Sequence, residues 1–124
     1  MEARVLESVF PTDTNPRGRL FGGQLVAWMD KAAGYAAMRH ARNVVVTAAI
    51  DHIDFRVPVR QGDMVELIAR VVGVGRTSMR VQVDVHREDA IAGTRLLCTT
   101  GVFTLVSVDE SGTPVPVPPI SPGG

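Results

Sequence analysis

The sequence predicts an α+β fold in which a curved antiparallel sheet wraps around one long central helix. Three observations support this prediction. One alanine-rich segment, residues 21–41, is apolar on almost every face, which is typical of a buried helix. β-Branched segments joined by short turns make up most of the remaining chain. Because such a helix must be covered on all sides, a sheet that curves around it is the simplest arrangement.

The first two elements are a strand and the helix. The strand covers residues 4–10, where a short alternation rich in valine and phenylalanine ends in a run of turn formers. Residues 10–18 form that run and predict an ordered or semi-ordered loop. The helix then covers residues 21–41, and its apolar residues recur so closely that we expect it to lie in the interior.

Four further strands follow the helix. They are predicted at residues 44–57, 64–74, 79–86 and 94–108, with a turn at residues 88–93 before the last strand. In the third of these strands apolar and polar residues alternate with a period of two, which indicates one buried and one solvated face. The predicted order of elements is therefore β, α, β, β, β, β.

The chain is predicted to hold one domain, residues 1–110. Its 124 residues lie in the commonest size range for a single core, and no internal repeat or second composition is visible. Residues 111–124 are too rich in proline for a helix or a sheet. This tail is predicted to be extended or disordered, as a frayed terminus or as a polyproline ligand.

The charge balance excludes some classes of partner. The 13 basic and 13 acidic side chains give a net charge of zero, so neither nucleic acid nor a membrane surface is expected as a partner. No apolar run is long enough to cross a membrane, and the first residues lack a secretory apolar segment, so we expect a cytoplasmic protein. The single cysteine, Cys98, is expected to be a small buried thiol.

The predicted shape also implies a partner copy. A small wrapped sheet has exposed edge strands, and one sheet cannot cover every face of an apolar helix. A second copy of the chain covers both most simply, with a continuous sheet and two helices near a two-fold axis. A homodimer is therefore expected.

Asp30 is the first candidate for a catalytic group. It stands in the middle of the apolar helix, where a lone carboxylate is costly to remove from water. Such a carboxylate is retained for function, or it pairs with Lys31 or a neighbouring arginine at a surface edge. The residues alone leave these two interpretations open.

Gly22 and Gly23 lie where the helix begins. Backbone amides are unpaired there, the helix dipole favours negative charge, and a ligand carbonyl can approach closely, so the pair could form an oxyanion hole. The alternative is a tight turn before a closely packed helix. Gly23 and Asp30 are about 10 Å apart along a helix, which favours sites composed of two protomers.

Two loop segments are further candidates for binding. Asn15 could orient a water or a thioester carbonyl through its side-chain amide, or it is simply a turn residue before Pro16. The turn Gly75-Arg76-Thr77-Ser78 offers a guanidinium and two hydroxyls that suit a phosphate or an amide ligand. Its alternative is a plain hairpin with a solvated arginine.

The histidines give no sign of a metal site. His40 is at a helix end, His52 and His86 are on strands, and none has a partner at a metal-binding spacing. We therefore predict neither a metal nor a catalytic histidine.

Several motifs occur in a fixed order and spacing along the chain. They are Phe10-Pro11-Thr12-Asp13-Thr14-Asn15, Gly18, Phe21-Gly22-Gly23, Trp28-Met29-Asp30-Lys31-Ala32-Ala33-Gly34, Val46-Thr47-Ala48-Ala49-Ile50-Asp51-His52-Ile53-Asp54-Phe55, Pro58, Gly62-Asp63, Gly75-Arg76-Thr77-Ser78 and Phe103-Thr104-Leu105-Val106. Together they resemble the hotdog-fold acyl-CoA thioesterases, both the broad-specificity bacterial enzymes and the cytosolic acyl-CoA hydrolases. The resemblance covers nearly the whole chain except the proline-rich tail.

The resemblance implies a hotdog fold and hydrolysis of fatty acyl-CoA to a carboxylate and free CoA, with no cofactor. It places the family's helix aspartate at Asp30, as general base or nucleophile, its loop asparagine at Asn15 and its oxyanion glycine at Gly23. The family's CoA contacts fall on the turn 75–78, chiefly Arg76, Thr77 and Ser78. It also implies dimers that assemble into larger rings, usually hexamers.

Two other functions are compatible with the same fold. A hydratase or dehydratase acting on acyl-carrier thioesters requires a histidine near the helix start, and Phe21 stands there instead. A non-hydrolytic acyl-CoA-binding or regulatory protein would keep Asp30 without a positioned water. Binding without turnover would distinguish that protein from a hydrolase.

Overall fold

The computed structural model describes residues 1–120 as one helix and five strands. A short 3-10 turn, Pro11–Asp13, lies in the loop before the helix. The regular elements are β1 (Glu2–Ser8), α1 (Gly22–Ala41), β2 (Val45–Phe55), β3 (Met64–Val74), β4 (Ser78–Asp89) and β5 (Thr94–Ser107). This order agrees with the order predicted from the sequence.

The five strands form one antiparallel sheet in the order β1-β3-β4-β5-β2. The longest ladders join β3 to β4 and β4 to β5, and β1 and β2 form the two edges. Helix α1 packs on one face of the sheet and contacts all five strands. The prediction of an α+β hotdog fold is confirmed.

Strands β1 and β4 differ most from the sequence prediction. Strand β1 begins at Glu2 because its backbone pairs with Arg70 of β3, and it ends at Ser8, which pairs with Met64. Strand β4 continues to Asp89, which pairs with Thr94 of β5, although the sequence predicted a turn there. The ends of β1 depend on pairing with β3, which is distant in the sequence, whereas the additional residues of β4 belong to its local hairpin with β5.

The buried face of α1 consists of four alanines and two larger apolar side chains. They are Leu25, Met29, Ala32, Ala33, Ala36 and Ala37. Small side chains let the helix lie close to the sheet, and Met29 of the helix packs directly over Gly101 of β5. A Cβ atom at Gly101 would lie 2.8 Å from Met29 Cε and 3.1 Å from Ile53 Cγ1, so only glycine fits without a shift.

The opposite face of α1 and the edge strand β2 remain uncovered within one chain. Tyr35 and Met38 of the helix are exposed, as are Val46 and Ile50 of β2. Strand β2 pairs only with β5, so the backbone of its other edge is unpaired among residues 1–120. None of the described helices is both long and apolar enough to span a membrane.

The proline-rich tail turns back over the end of the sheet. After β5 the chain bends through residues 109–113, and Val108 then forms a bridge with Pro114. Backbone hydrogen bonds join Val115 and Val117 to the body of the domain, and residues 115–120 are extended without regular secondary structure. The last part of the tail, residues 121–124, lies outside the described residues.

Candidate active site

The carboxylate of Asp30 lies between α1 and β2 and is half-buried in the single chain. Thr47 of β2 donates a hydrogen bond from Oγ1 to Asp30 Oδ1 at 2.6 Å. Among residues 1–120, no lysine or arginine forms an ion pair with Asp30. The other carboxylate oxygen, Oδ2, accepts no side-chain hydrogen bond from residues 1–120, so its acceptor capacity is available for a water or a substrate.

Thr47 is a candidate site residue that sequence reasoning missed. It is the only polar residue in the run Val44 to Ile50, and it lies on the face of β2 that looks toward α1. A hydroxyl in an otherwise apolar strand segment, opposite an apolar helix that carries one carboxylate, is the signal that could have identified it.

The start of α1 presents unpaired backbone amides. Phe21 precedes the helix without a side-chain cap, and Gly22 and Gly23 form the exposed first turn. A Cβ atom at Gly22 would touch the ring of Phe55 at 3.8 Å, whereas nothing lies within 4 Å of the corresponding position at Gly23. Among residues 1–120 the Gly23 N–H donates no backbone hydrogen bond, so it is available to an anionic or carbonyl oxygen.

Asn15 organises the loop that leads to the helix. Its side-chain Oδ1 accepts hydrogen bonds from the backbone N–H groups of Arg17 and Arg19, at 2.9 Å and 3.2 Å. Its Nδ2 group donates no hydrogen bond to the described residues and can serve as a donor to a ligand. The Oδ1 atom of Asn15 thus stabilises the turn, as one interpretation predicted. Its Nδ2 group can still bind a ligand, as the other interpretation predicted.

A cavity of about 310 Å³ lies beside the start of the helix. Asn15, Gly22 and Leu25 line it from the loop and helix, and Phe55 and Thr99 line it from the sheet. Asp30 is not among its lining residues, since it lies two turns further along α1. Within one chain, the amides at the helix start and the carboxylate of Asp30 are therefore about 10 Å apart.

The turn Gly75-Arg76-Thr77-Ser78 lies near the other end of the helix. It is closed by a hydrogen bond from Gly75 N–H to the Ser78 carbonyl at 2.8 Å, and a Cβ atom at Gly75 would be 2.7 Å from Ser78 Oγ. Arg76 is exposed. Strand β5 lies between β4 and β2, so Ser78 of β4 lies two strands away from Val46 of β2, which is the neighbour of Thr47. Two strand spacings are about 10 Å.

The remaining titratable candidates lie outside this arrangement. Burial raises the pKa of the Cys98 thiol, so the side chain stays neutral and unreactive. His40 points toward the tail, and His52 pairs with Asp54 on the sheet. Residues 1–120 contain no cluster of three or more histidine, cysteine or acidic side chains that could hold a metal ion.

Comparisons with known proteins agree with this geometry. A family model of the thioesterase superfamily matches residues 17–94. An uncharacterized acyl-CoA thioester hydrolase of Bacillus subtilis is 43% identical over 123 residues, which are 98% of this chain and 72% of that protein. The chain is therefore similar to a curated hydrolase over almost its whole length.

Solved structures share the fold closely. A crystal structure of an apo-hexameric acyl-CoA thioesterase is 45% identical, with a TM-score of 0.94, and the match covers 98% of this chain and 78% of that one. An acyl-CoA hydrolase of Staphylococcus aureus, solved with butyryl coenzyme A, coenzyme A and coenzyme A disulfide, is 36% identical, with a TM-score of 0.93 and coverage of 98% and 74%. Variants of that hydrolase with alanine in place of an aspartate, a threonine or an asparagine also match. By the extent of these matches, the chain belongs to the thioesterase superfamily.

Proposed function

We propose that this protein is an acyl-CoA thioesterase that hydrolyses fatty acyl-CoA to a free carboxylate and CoA. The observation that carries the proposal is the Asp30 carboxylate, fixed by Thr47 at 2.6 Å and half-buried on an uncovered helix face. The asparagine, aspartate and threonine replaced in the Staphylococcus aureus variants have the same spacing as Asn15, Asp30 and Thr47. That agreement supports roles for all three residues.

The complete site requires two protomers. Gly22 lines the same cavity as Phe55 at the end of β2, whereas Asp30 contacts Thr47 near the beginning of that strand. If two copies pair through the free edges of β2, the strands run antiparallel about a two-fold axis, so the end of one β2 lies beside the beginning of the other. This arrangement brings the helix start of one protomer toward Asp30 of its partner.

The chemistry follows from the groups assembled in this way. The amide of Gly23 stabilises the oxygen of the thioester carbonyl as negative charge develops on it. Asn15 Nδ2 orients the carbonyl or the attacking water. Asp30 either removes a proton from that water as general base or attacks the carbonyl carbon itself. In both routes the C–S bond breaks and CoA leaves as its thiolate, which then takes up a proton.

A single turnover in water enriched in oxygen-18 separates the two routes for Asp30. With Asp30 as general base, the label enters the product carboxylate in the first turnover. With Asp30 as nucleophile, hydrolysis of the acyl-aspartyl intermediate can leave the label in the Asp30 carboxyl group, where mass spectrometry of a proteolytic peptide detects it.

The turn Gly75-Arg76-Thr77-Ser78 serves as the CoA contact in this proposal. Arg76 is exposed and carries no salt bridge among residues 1–120, so its guanidinium is available for a phosphate. We further propose that dimers assemble as a trimer of dimers. Hexameric thioesterases among the similar structures support this assembly.

The test is a panel of short, medium and long acyl-CoAs, with free thiol release followed by a colorimetric reagent. We expect turnover by the wild-type protein, and a loss of about 100-fold or more in kcat for Asp30→Asn, the size of a typical general-base contribution. The variant should keep its oligomeric state and bind CoA. Undiminished turnover by Asp30→Asn would contradict the role of Asp30, and binding without turnover by the wild type would identify an acyl-CoA-binding protein instead.

A further inference from the structure

The extended segment Thr113–Pro118, here called the C-terminal strap, crosses the end of the sheet and reaches the turn assigned to CoA. Val115 donates a backbone hydrogen bond to the Ser107 carbonyl at 2.9 Å. Two residues later Val117 donates one to the Arg76 carbonyl, also at 2.9 Å. The alternate backbone N–H groups of the strap thus bond the last residue of β5 and then the turn itself.

The strap is also fixed on its far side. His40 Nε2 lies 2.7 Å from the Pro118 carbonyl, and because a carbonyl can only accept, this ring nitrogen carries the proton. The Val117 side chain is half-buried and packs against the hydrophobic core. The strap therefore connects the last turn of α1 to the Arg76 carbonyl through two consecutive residues.

The turn has few other constraints at Arg76. Its internal hydrogen bond joins Gly75 to Ser78, and the Thr77 carbonyl accepts from Ser107 N–H at 3.0 Å. Among residues 1–120, the bond from Val117 is the only backbone hydrogen bond at the Arg76 carbonyl. An exposed hairpin turn without it would sample several orientations of the peptide that follows Arg76.

We propose that the C-terminal strap is a positioning element for the CoA-binding turn, and that the main-chain N–H of Val117 is its positioning group. The hydrogen bond holds the peptide between Arg76 and Thr77 in one orientation. A turn that is already fixed before CoA binds loses less conformational entropy on binding. This inference rests on the proposed function of the turn.

The test replaces the donor without removing the strap. Val117→Pro removes the N–H group and suits the extended conformation between two prolines, whereas Val117→Ala keeps the N–H and shortens the side chain. Ile120→Pro adds a proline beyond the strap, where no backbone hydrogen bond is formed with described residues. We expect KM for acyl-CoA to rise roughly two- to ten-fold in Val117→Pro with kcat nearly unchanged. Val117→Ala, which keeps the N–H but loses part of its packing, should raise KM less than Val117→Pro, and Ile120→Pro should keep the wild-type KM.

Arg76→Ala distinguishes failure of this inference from failure of the proposed function. If Arg76→Ala raises KM and Val117→Pro does not, the strap does not position the turn and the inference is wrong. If neither variant changes KM while acyl-CoA is still hydrolysed, the assignment of the turn to CoA is wrong. A lower thermal midpoint with unchanged KM in both Val117 variants would show a purely structural strap, which also overturns the inference.

Discussion

Asp30 combines a half-buried position with a single hydrogen-bond donor among the described residues, Thr47. A carboxylate in this setting is costly to desolvate, and one hydroxyl offsets only part of that cost. A water or a substrate that hydrogen-bonds to the other carboxylate oxygen would offset the rest of this desolvation cost. The sequence left two interpretations open for Asp30, which were retention for function and pairing with a cation. The structure favours the first, because no cation pairs with Asp30 among residues 1–120.

The hydroxyl of Thr47 should set the orientation of that carboxylate. Thr47→Val has nearly the same shape but no donor, so we expect kcat/KM to fall by about 10- to 100-fold, corresponding to about 1.5–3 kcal/mol for a hydrogen bond to a charged group. Thr47→Ser keeps the donor and should retain most activity. Steady-state kinetics on one good acyl-CoA measures both, and equal rates for the two variants would show that the hydroxyl has no such role.

At the scale of elements, local patterns predicted the helix and all five strands, because amphipathic alternation and alanine content are written in neighbouring residues. The strand order β1-β3-β4-β5-β2 was beyond such patterns, since it depends on which edges meet in space. The same reason explains the shifted ends of β1, whereas the longer β4 comes from its local hairpin with β5. For the site, the chain predicted Asp30 from its apolar surroundings, but Thr47 becomes conspicuous only when β2 is placed beside α1.

The contact between α1 and the sheet at Gly101 is sensitive to a single methyl group. In Gly101→Ala the new Cβ would meet Met29 Cε at 2.8 Å and the His52 carbonyl oxygen at 3.3 Å, and the backbone oxygen cannot move aside. We expect the free energy of unfolding to fall by about 1–3 kcal/mol, as for other overpacked cores. Denaturant unfolding at one protein concentration gives the value.

Gly73→Ala is the matched control for this packing prediction. It also adds a methyl group within a strand, but its Cβ would meet only Arg80 Cβ, at an ordinary 3.8 Å. A loss of stability in Gly73→Ala as large as that in Gly101→Ala would indicate a general cost of alanine in the sheet rather than a close approach of the helix.

At the scale of the whole molecule, the free edge of β2 is a surface that one chain alone does not cover. An edge strand of 11 residues with exposed Val46, Ile50 and Phe55 is a template for association, and native proteins cover such edges. Pairing through β2 would cover it and also complete the proposed site. Stability, assembly and activity should therefore depend on the same surface.

A charge on this surface should separate the protomers. In Ile50→Glu a carboxylate would replace an apolar side chain that is 46% exposed in the single chain, and we expect a lower oligomeric state together with loss of turnover. Ile91→Glu, at a hairpin position that is 98% exposed, should change neither. Sedimentation velocity reports the assembly. A fully assembled but inactive Ile50→Glu protein would refute the link between the two properties.

The separation of Gly23 and Asp30 along α1 has a genetic consequence. If each site takes its amide from one protomer and its carboxylate from the other, two inactive chains can repair each other. A dimer of Asp30→Asn with Gly23→Pro, which lacks the amide, would place both defects in one site and leave the second site wholly wild type. Co-expressing the two inactive alleles should then restore turnover, whereas a site contained within one chain would give no such complementation.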